Sequence, residues 1–287
     1  MPVGRSGRAL REELTPAAVA AHYDALDELH REVWGRHVHH GLWLRDDESY
    51  AEAKENLART VVDRAELTGG AEVVDIGCGY GETARWIADR YGCRVTGITI
   101  SPAQYDFAHC RGPAVPNARF VLGDWLANAL PAGAFDAAVA IESTEHMDNL
   151  DGFFRECRRV LRPGGRLVIA AWLAAEDVKT WQERWLLQPI TRSGRLSNFR
   201  SAASYEAFAV GNGFAGIDAE DVSAKVARTW PAIIRTFAAA TAKDPRRVRY
   251  VAGRHAANRQ FLLTILRIWM AYRIGALRYY LFTLRAA

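Results

Sequence analysis

The segment IESTEHMD, residues 141–148, brings two carboxylates and an imidazole close together. Glu142, Glu145 and His146 follow the apolar run FDAAVA, which predicts that they lie at the end of a strand. Histidine has an ordinary pKa of about 6.5, so His146 is the first candidate for removing a substrate proton or orienting the substrate, and Glu145 the second. The alternative is that all three side chains cap a helix beginning near Asp151.

A second segment, VVDIGCGYGETA at residues 73–84, ends an apolar run with an acid and a glycine turn. Gly77 and Gly79 lack a Cβ, so a ligand can touch the backbone of the turn. The last step of the dinucleotide fingerprint is missing, and the charge of Asp75 would repel a pyrophosphate. The segment therefore favours a ligand with a cationic amine, although a plain turn without a ligand would use the same residues.

Short apolar strands alternate with amphipathic helices around both segments. This alternation predicts an α/β fold with a doubly wound, mostly parallel sheet, whose ligands bind beyond the carboxyl ends of the strands. RPGG at 162–165 is typical of a helix end, and ALRYYLFTLRA at 276–286 suits a last strand. Strands are predicted at 72–76, 94–99, 118–122, 135–141 and 166–172, helices at 83–91, 102–110 and 151–161, and a helix–strand unit at 202–211 and 213–222.

Helical segments flank this core on both sides. The stretch FLLTILRIWMAYRI has helical spacing, but it is too short for a membrane span and arginine interrupts it, which favours a helix that packs on the core or forms a lid. The predicted units are a helical cap at 1–68, a core at 69–175, a helical lid at 176–201 and 223–275, and the remainder of the core sheet at 202–222 and 276–287.

The composition is that of an ordinary globular protein, with 287 residues, 49% of them hydrophobic, and a net charge of +4. No basic tract could follow a phosphate backbone, so nucleic acid is not an expected partner. The four cysteines lack the spacing of a disulfide framework or a zinc site. Without a signal-peptide pattern or a long apolar run, we expect a cytoplasmic protein with no integral membrane association, in which an oligomer stays possible.

Three segments in order, VVDIGCGYGE, FDAAVAIESTEHMDN and FFRECRRVLRPGGRLVIAAW, resemble the motifs of class I methyltransferases that depend on S-adenosylmethionine (SAM). Further stretches, VWGRHVHHGLW, GITISPAQ, TWPAII and YRIGALRYYLFTLR, are similar to the γ-tocopherol C-methyltransferases and related small-molecule N-methyltransferases. Cyclopropane-forming mycolic acid methyltransferases share GITISPAQ and the EH pair. The resemblance covers most of residues 20–285 and implies a seven-stranded Rossmann-like sheet with SAM as its cofactor.

The resemblance also implies a set of cofactor contacts. Gly77 and Gly79 would line the methionine part of SAM, with Asp75 orienting the turn. The acid that commonly binds the ribose at the end of the second strand is absent, which leaves Gln104 as the candidate unless it is an exposed helix residue. The other cofactor residues implied are Tyr23, Cys78, Thr99, Ile100, Ile141 and the adenine-site pair Asp124 and Trp125, of which Trp125 could instead be a buried core residue.

Tyr23 and the loop that follows it resemble a segment that folds over the cofactor and forms part of the acceptor pocket. The acceptor residues implied are His39, His40, Gly41, Trp43 and Trp172, and further aromatic surface is expected from Trp181, Trp185, Trp230 and Trp269. A metal site at the HVHH cluster is the alternative. We expect no metal, because the histidines crowd one short loop and no matching acid cluster is evident.

By this resemblance the chain is an enzyme that methylates a hydrophobic or aromatic small molecule in specialised metabolism, at carbon or nitrogen first. His146, Glu145 and Glu142 would lie near the transferred methyl, where Glu142 could hold the loop or the cofactor. The alternatives are O-methylation of a small molecule or sugar, C-methylation of an alkene or prenyl chain with a carboxylate stabilising a cation, and a non-catalytic SAM-binding module.

Overall fold

Seven strands form one sheet in the computed structural model, which describes residues 15–25, 38–110, 115–197, 199–243 and 256–287. The strands are β1 (Glu72–Ile76), β2 (Arg94–Thr99), β3 (Ala118–Leu122), β4 (Phe135–Ile141), β5 (Leu161–Ala174), β6 (Phe214–Asp221) and β7 (Leu277–Ala286). Their order is β3-β2-β1-β4-β5-β7-β6, with β1 to β5 parallel and β7 antiparallel to both of its neighbours. The carboxyl ends of five strands therefore share one edge of the sheet.

Helices cover both faces of the sheet. They are α1 (Pro16–Ala25), α2 (Tyr50–Arg64), α3 (Glu82–Tyr91), α4 (Pro102–Cys110), α5 (Leu150–Val160), α6 (180–194, with a π-helical turn at Glu183–Leu187), α7 (Ala202–Gly211), α8 (Ser223–Val226), α9 (Thr229–Lys243) and α10 (Ala256–Arg273). Short 3₁₀ turns follow β3 at Trp125–Ala127 and β4 at Thr144–His146. Among the described residues, no helix combines the length and apolar character that a membrane crossing requires.

The central strands are buried on both faces, as a parallel sheet requires. Val73 and Val74 are neighbours in β1, yet their side chains belong to different core clusters because successive side chains point to opposite faces. The cluster that contains Val73 includes buried side chains of α2, α3, α6, α9 and α10. The cluster that contains Val74 includes buried side chains of α5 and α7. The helices of the predicted lid thus pack against the same face as α2 and α3.

The sequence prediction was wrong at the start of β5. The strand begins at Leu161, directly after α5, so RPGG lies within the strand and not between a helix and a strand. Leu161 pairs with Phe135, and the register then shifts before Arg166 pairs with Ala137. This irregularity accommodates the glycine pair inside the ladder. The predicted domain boundaries stay predictions.

Candidate functional site

A cavity of about 250 Å³ opens at the carboxyl ends of β1, β2 and β4. A smaller pocket of about 60 Å³ lies beside it and shares Val38, Gly77, Gly79 and Ile141 with it. All of the predicted cofactor residues line one of the two: Asp75 and Cys78 line the small pocket, and the large cavity is lined by Tyr23, Gly77, Gly79, Thr99, Ile100, Gln104, Asp124, Trp125 and Ile141. The predicted cofactor residues therefore surround these two spaces, and their roles stay predictions.

The turn after β1 has a shape that requires glycine at Gly77. Its φ of +75° lies in the left-handed region, and a Cβ there would lie 2.4 Å from the Cβ of Ser143. The N–H groups of Gly77 and Cys78 both donate to the Ile98 carbonyl, which fixes the turn against β2. The turn after β1 thus lies close against the turn after β4, and both turns line the cavity.

Asp75 lies beneath this turn with an incomplete set of partners. Its side chain is buried, and its Oδ2 has no hydrogen-bond partner within the described part of the chain. Burial raises the pKa of Asp75 to about 7. A buried carboxylate of this kind is stabilised by a cationic or N–H-bearing ligand, so the small pocket fits the amino-acid end of SAM.

The polar groups at the end of β2 present donors to the cavity. The Thr99 hydroxyl donates to Oε1 of Gln104 over 2.9 Å, which leaves the amide NH₂ of Gln104 directed toward the glycine turn. Ser101 accepts from the Gln104 backbone N–H and donates to the carboxylate of Asp24 on α1 over 2.5 Å. Gln104 is buried and therefore not an exposed helix residue. An NH₂ group in this position can donate to a ribose hydroxyl.

Asp124 and Trp125 follow β3 at the other end of the cavity. One oxygen of Asp124 accepts from the Leu126 N–H and caps the 3₁₀ turn. Trp125 is buried, and its indole N–H donates to the Phe153 carbonyl at 3.4 Å. Trp125 is thus a core residue that also lines the cavity, so the two readings of the sequence are compatible.

His146 faces the cavity with a defined proton position. Its Nδ1 lies 3.0 Å from the Arg195 carbonyl oxygen, which can only accept, so the geometry assigns the proton to Nδ1. Its Nε2 lies 2.6 Å from the hydroxyl of Tyr23 and therefore accepts from it. Burial, together with the charges of Glu145 and Glu142, raises the pKa of Tyr23, which keeps the phenol protonated.

Glu142 anchors the loop at residues 38–43 to β4. Its carboxylate accepts from the backbone N–H of His40 at 2.7 Å, from His40 Nδ1 at 2.9 Å and from the Tyr279 hydroxyl at 2.8 Å. The indole of Trp230 donates to His40 Nε2, which places the remaining imidazole proton on Nδ1. Burial would raise the pKa of Glu142, but the contacts of His40 outweigh it and hold that pKa below its usual value. Glu142 is thus an anion that holds the loop.

Glu145 is turned to a different environment. Its carboxyl lines a pocket of about 10 Å³ with Trp172 and Tyr205, where it accepts from the Trp172 backbone N–H at 2.8 Å. The Thr144 hydroxyl lies 3.2 Å from its second oxygen. Burial and the charge of Glu142 raise the pKa of Glu145 to about 8, so this carboxyl is mostly protonated at neutral pH. Such a group stabilises the turn after β4 and is poorly suited to accept a proton.

The predicted acceptor residues are divided among several environments. His39 lines the small pocket beside Asp75, and burial lowers its pKa, whereas Trp172 lines the pocket of Glu145. His40 is enclosed by the rings of Trp172, Trp230, Tyr272 and Tyr279, each with its centroid within 5.8 Å. Gly41 and Trp43 pack against α2 and the adjoining loop. Residues 33–37 of the resembling loop lie outside the described residues.

Two lid tryptophans are exposed and line neither the large cavity nor the small pocket beside it. Trp181 is 51% exposed and Trp185 is 64% exposed, on the outer side of α6. Trp230, in contrast, is buried against His40. Among the described residues, no group of three or more His, Cys, Asp or Glu side chains is arranged to hold a metal ion.

The sequence reasoning missed several residues around the cavity. Pro16 and Val19 of α1 line it, and so do Ser143 and residues 147–149 after β4. It also missed Asp24, which fastens α1 to the start of α4 through the Ser101 hydroxyl and the Ala103 N–H. The adjacency of Tyr23 and Asp24 was the available signal, but the sequence alone does not say which residues they reach.

Comparison with known proteins identifies the family of the chain. The family described as Mycolic acid cyclopropane synthetase matches residues 11–274. A tocopherol O-methyltransferase of Arabidopsis thaliana is 31% identical over 255 residues, which are 82% of this chain and 73% of that protein. A 27-O-demethylrifamycin SV methyltransferase of Amycolatopsis mediterranei is 35% identical over 55% of this chain and 60% of that protein.

Solved structures share the fold over nearly the whole chain. The [4+2]-cyclase SpnF has a TM-score of 0.79 at 27% identity, covering 95% of this chain and 96% of that one. The mycolic acid cyclopropane synthase CmaA1, complexed with S-adenosylhomocysteine (SAH), has a TM-score of 0.82 at 20% identity, covering 94% and 98%. The seven-stranded sheet, the glycine turn over a buried acid and these relatives lead to one conclusion: the chain belongs to the mycolic acid cyclopropane synthetase family and is a SAM-dependent methyltransferase of small molecules.

Proposed function

We propose that this enzyme methylates a hydroxyl-bearing hydrophobic small molecule of specialised metabolism, at the hydroxyl oxygen or at a ring carbon that the hydroxyl activates. The single observation that carries the proposal is the unprotonated Nε2 of His146, held at the cavity by its Nδ1–H contact to the Arg195 carbonyl. A base is useful for an acceptor that must lose a proton, whereas an amine attacks with its own lone pair. The proposal therefore puts a hydroxyl first, where the sequence reasoning put carbon or nitrogen first.

The names of two relatives support this choice. One is a tocopherol O-methyltransferase and the other acts on a rifamycin. When bound, SAM supplies a methyl group on a positively charged sulfur. The protein aligns the acceptor and excludes water, and alignment of this kind can lower a barrier by several kcal/mol, about 7 in well-oriented cases. His146 accepts the hydroxyl proton at Nε2, while the Arg195 carbonyl keeps the other ring nitrogen protonated.

Radiolabelled SAM offered with separate panels of phenols, aliphatic alcohols, sugars, amines and prenyl chains tests the proposal. We expect label on phenols or alcohols. His146→Ala should lower turnover by at least about 100-fold, the usual contribution of a general base. His109→Ala is the matched control, since His109 is an exposed histidine on α4. Label confined to amines or prenyl chains would contradict the proposed acceptor.

A second candidate follows from SpnF, a [4+2]-cyclase with the same fold. In that case the cavity would bind SAM or SAH without methyl transfer. The two candidates differ in whether SAH accumulates in proportion to consumed acceptor. We expect one molecule of SAH for each molecule of acceptor consumed. A chelator should not affect SAH formation, and activity that a chelator abolishes and magnesium restores would contradict the expected metal independence.

A further inference from the structure

The hydroxyl of Tyr23 contacts the nitrogen to which the proposed function assigns the acceptor proton. It is 2.6 Å from His146 Nε2, and both residues line the cavity. The two rings meet edge to face, with centroids 5.3 Å apart. A substrate hydroxyl cannot occupy the position at Nε2 that the tyrosine hydroxyl holds. Either the substrate hydroxyl displaces the Tyr23 hydroxyl, or the substrate proton reaches Nε2 through the Tyr23 hydroxyl.

A phenol can pass a proton because its oxygen accepts through lone pairs while it donates. From the geometry we propose that Tyr23 is a catalytic residue, which receives the proton of the acceptor hydroxyl and delivers its own proton to Nε2 of His146. The acceptor's O–H bond breaks as an O–H bond to Tyr23 forms, and the tyrosine's original O–H bond breaks as N–H forms on His146. The acceptor's electron pair then forms the bond to the methyl carbon, and the sulfur keeps the electrons of the bond it loses.

Burial and the charges of Glu145 and Glu142 raise the pKa of Tyr23, so the phenol stays protonated at rest. A residue that stays protonated acts as a relay and not as a base. The imidazole that ends the relay gains a proton at Nε2 and keeps its donor contact to Arg195 through Nδ1. Within the described residues, the groups that face the pair include the Glu142 carboxylate, the Glu145 carboxyl and the neutral backbone carbonyl of Arg195 after α6.

Asp24 holds Tyr23 in this position. Its carboxylate accepts from the Ser101 hydroxyl at 2.5 Å and from the Ala103 N–H at 3.2 Å, at the first turn of α4. An anion is favoured at a helix N-terminus. Tyr23 and Asp24 therefore fasten α1 on the two sides of the cavity, one at β4 and the other after β2. Asp24 is therefore a positioning residue, which holds α1 and with it Tyr23 against the cavity.

The nitrogen resonances of His146 test the pair without any acceptor. In ¹⁵N-labelled protein saturated with SAH, we expect Nε2 of His146 to give the resonance of an unprotonated nitrogen that accepts a hydrogen bond. Tyr23→Phe should move that resonance to the position of an unprotonated nitrogen without a donor. Tyr105→Phe is the matched control, because Tyr105 stacks on the exposed His109 of α4. An Nε2 resonance that Tyr23→Phe leaves unchanged would overturn the assignment.

Turnover with an acceptor from the labelled panels tests the relay itself, which rests on the proposed function. Tyr23→Phe should lower kcat by about 100-fold or more, with SAH affinity within about threefold of wild type. The deficit should shrink as pH rises, because an acceptor that ionises in water needs no relay. Asp24→Ala should lower kcat about tenfold, and Asp106→Ala, an exposed acid on α4, should not.

The outcomes separate the two proposals. Label on an alcohol or phenol with unchanged kcat in Tyr23→Phe overturns the relay and leaves the proposed function in place. A parallel loss of SAH affinity and kcat in Tyr23→Phe also overturns it, because that pattern assigns Tyr23 to cofactor binding. Failure to label any hydroxyl-bearing acceptor would contradict the proposed function, and it would contradict the relay as well, because the relay needs an acceptor hydroxyl.

Discussion

Single atoms decide what the cavity presents to a ligand. The Thr99 hydroxyl binds the oxygen of the Gln104 amide, so the amide offers a donor to the site. The second carboxylate oxygen of Asp75 is buried without a hydrogen-bond partner inside the described ranges. These two groups favour a ligand with hydroxyls at one end and a cationic amine at the other, which matches the ribose and the amino-acid end of SAM.

Asp75 should make cofactor affinity depend on pH. Burial raises its pKa to about 7, and a cationic amine nearby favours the ionised carboxylate. SAH should therefore bind more tightly at pH 8 than at pH 6, with proton release on binding below about pH 7. Calorimetry in buffers of different ionisation enthalpy measures both. Asp75→Asn should flatten this dependence, and an equally steep dependence in that variant would contradict the assignment.

Gly77 should tolerate no side chain. Gly77→Ala combines a φ of +75° with a Cβ placed 2.4 Å from the Cβ of Ser143, so we expect a loss of about 2–4 kcal/mol in unfolding free energy and a large loss of SAH affinity. Gly133→Ala is the control, since its φ is +59° and its Cβ would meet open space. It should cost about 1 kcal/mol without affecting SAH. Urea unfolding and calorimetry compare the two, and equal effects on SAH would contradict the argument.

At the scale of elements, the turn after β4 fastens other segments on both sides. Glu142, with a φ of +51°, directs its carboxylate to the 38–43 loop and to Tyr279 in β7. Glu145 directs its carboxyl to β5 through the Trp172 N–H, and its backbone carbonyl accepts from Ser197. His146, next along the chain, faces α1. One short turn thus positions a loop, a strand, and the helix that closes the cavity.

Glu145 should limit stability at alkaline pH. The folded state holds a proton on a carboxyl whose pKa is raised to about 8, while the unfolded chain releases it near pH 4.3. The stabilising contribution is therefore complete below about pH 4.3 and is lost as pH rises toward about 8. Glu145→Gln should unfold at higher urea than wild type at pH 8, with a smaller difference at pH 5. A variant less stable than wild type at both pH values would contradict this sign.

At the scale of the whole molecule, the cavity joins segments from all along the first half of the chain. Its lining runs from Pro16 in α1 through the glycine turn to Asn149 after β4. In the second half of the chain, β7 lies between β5 and β6 and pairs with both. A ligand in this cavity contacts elements that are otherwise linked through the sheet. Its binding energy should therefore stabilise the molecule as a unit.

SAH should raise the free energy of unfolding by about 2.7 kcal/mol at a concentration of 100 times its Kd, by mass action. Hydrogen exchange should slow together in α1, in the turn after β1 and at the end of β4. NAD, which carries a pyrophosphate, should have neither effect. Thermal unfolding and exchange measurements with the two ligands test this, and protection confined to one segment would show that the site is not a single unit.

The sequence by itself determined the positions of β1 to β4 and of α7, because alternating apolar residues and turn signals act over a few neighbours. It also identified the glycine turn, and its resemblance to a known family named many of the residues that line the cavity but missed those of α1 and of the turn after β4 other than Tyr23, Glu142 and His146. The tertiary structure decided where each side chain points. Tyr23 meets His146 across 123 residues, the neighbouring Glu145 turns into a small pocket beside Trp172, and Trp185 is exposed to solvent. Such contacts depend on backbone dihedral angles and on packing partners distant in the chain, which a local pattern does not encode.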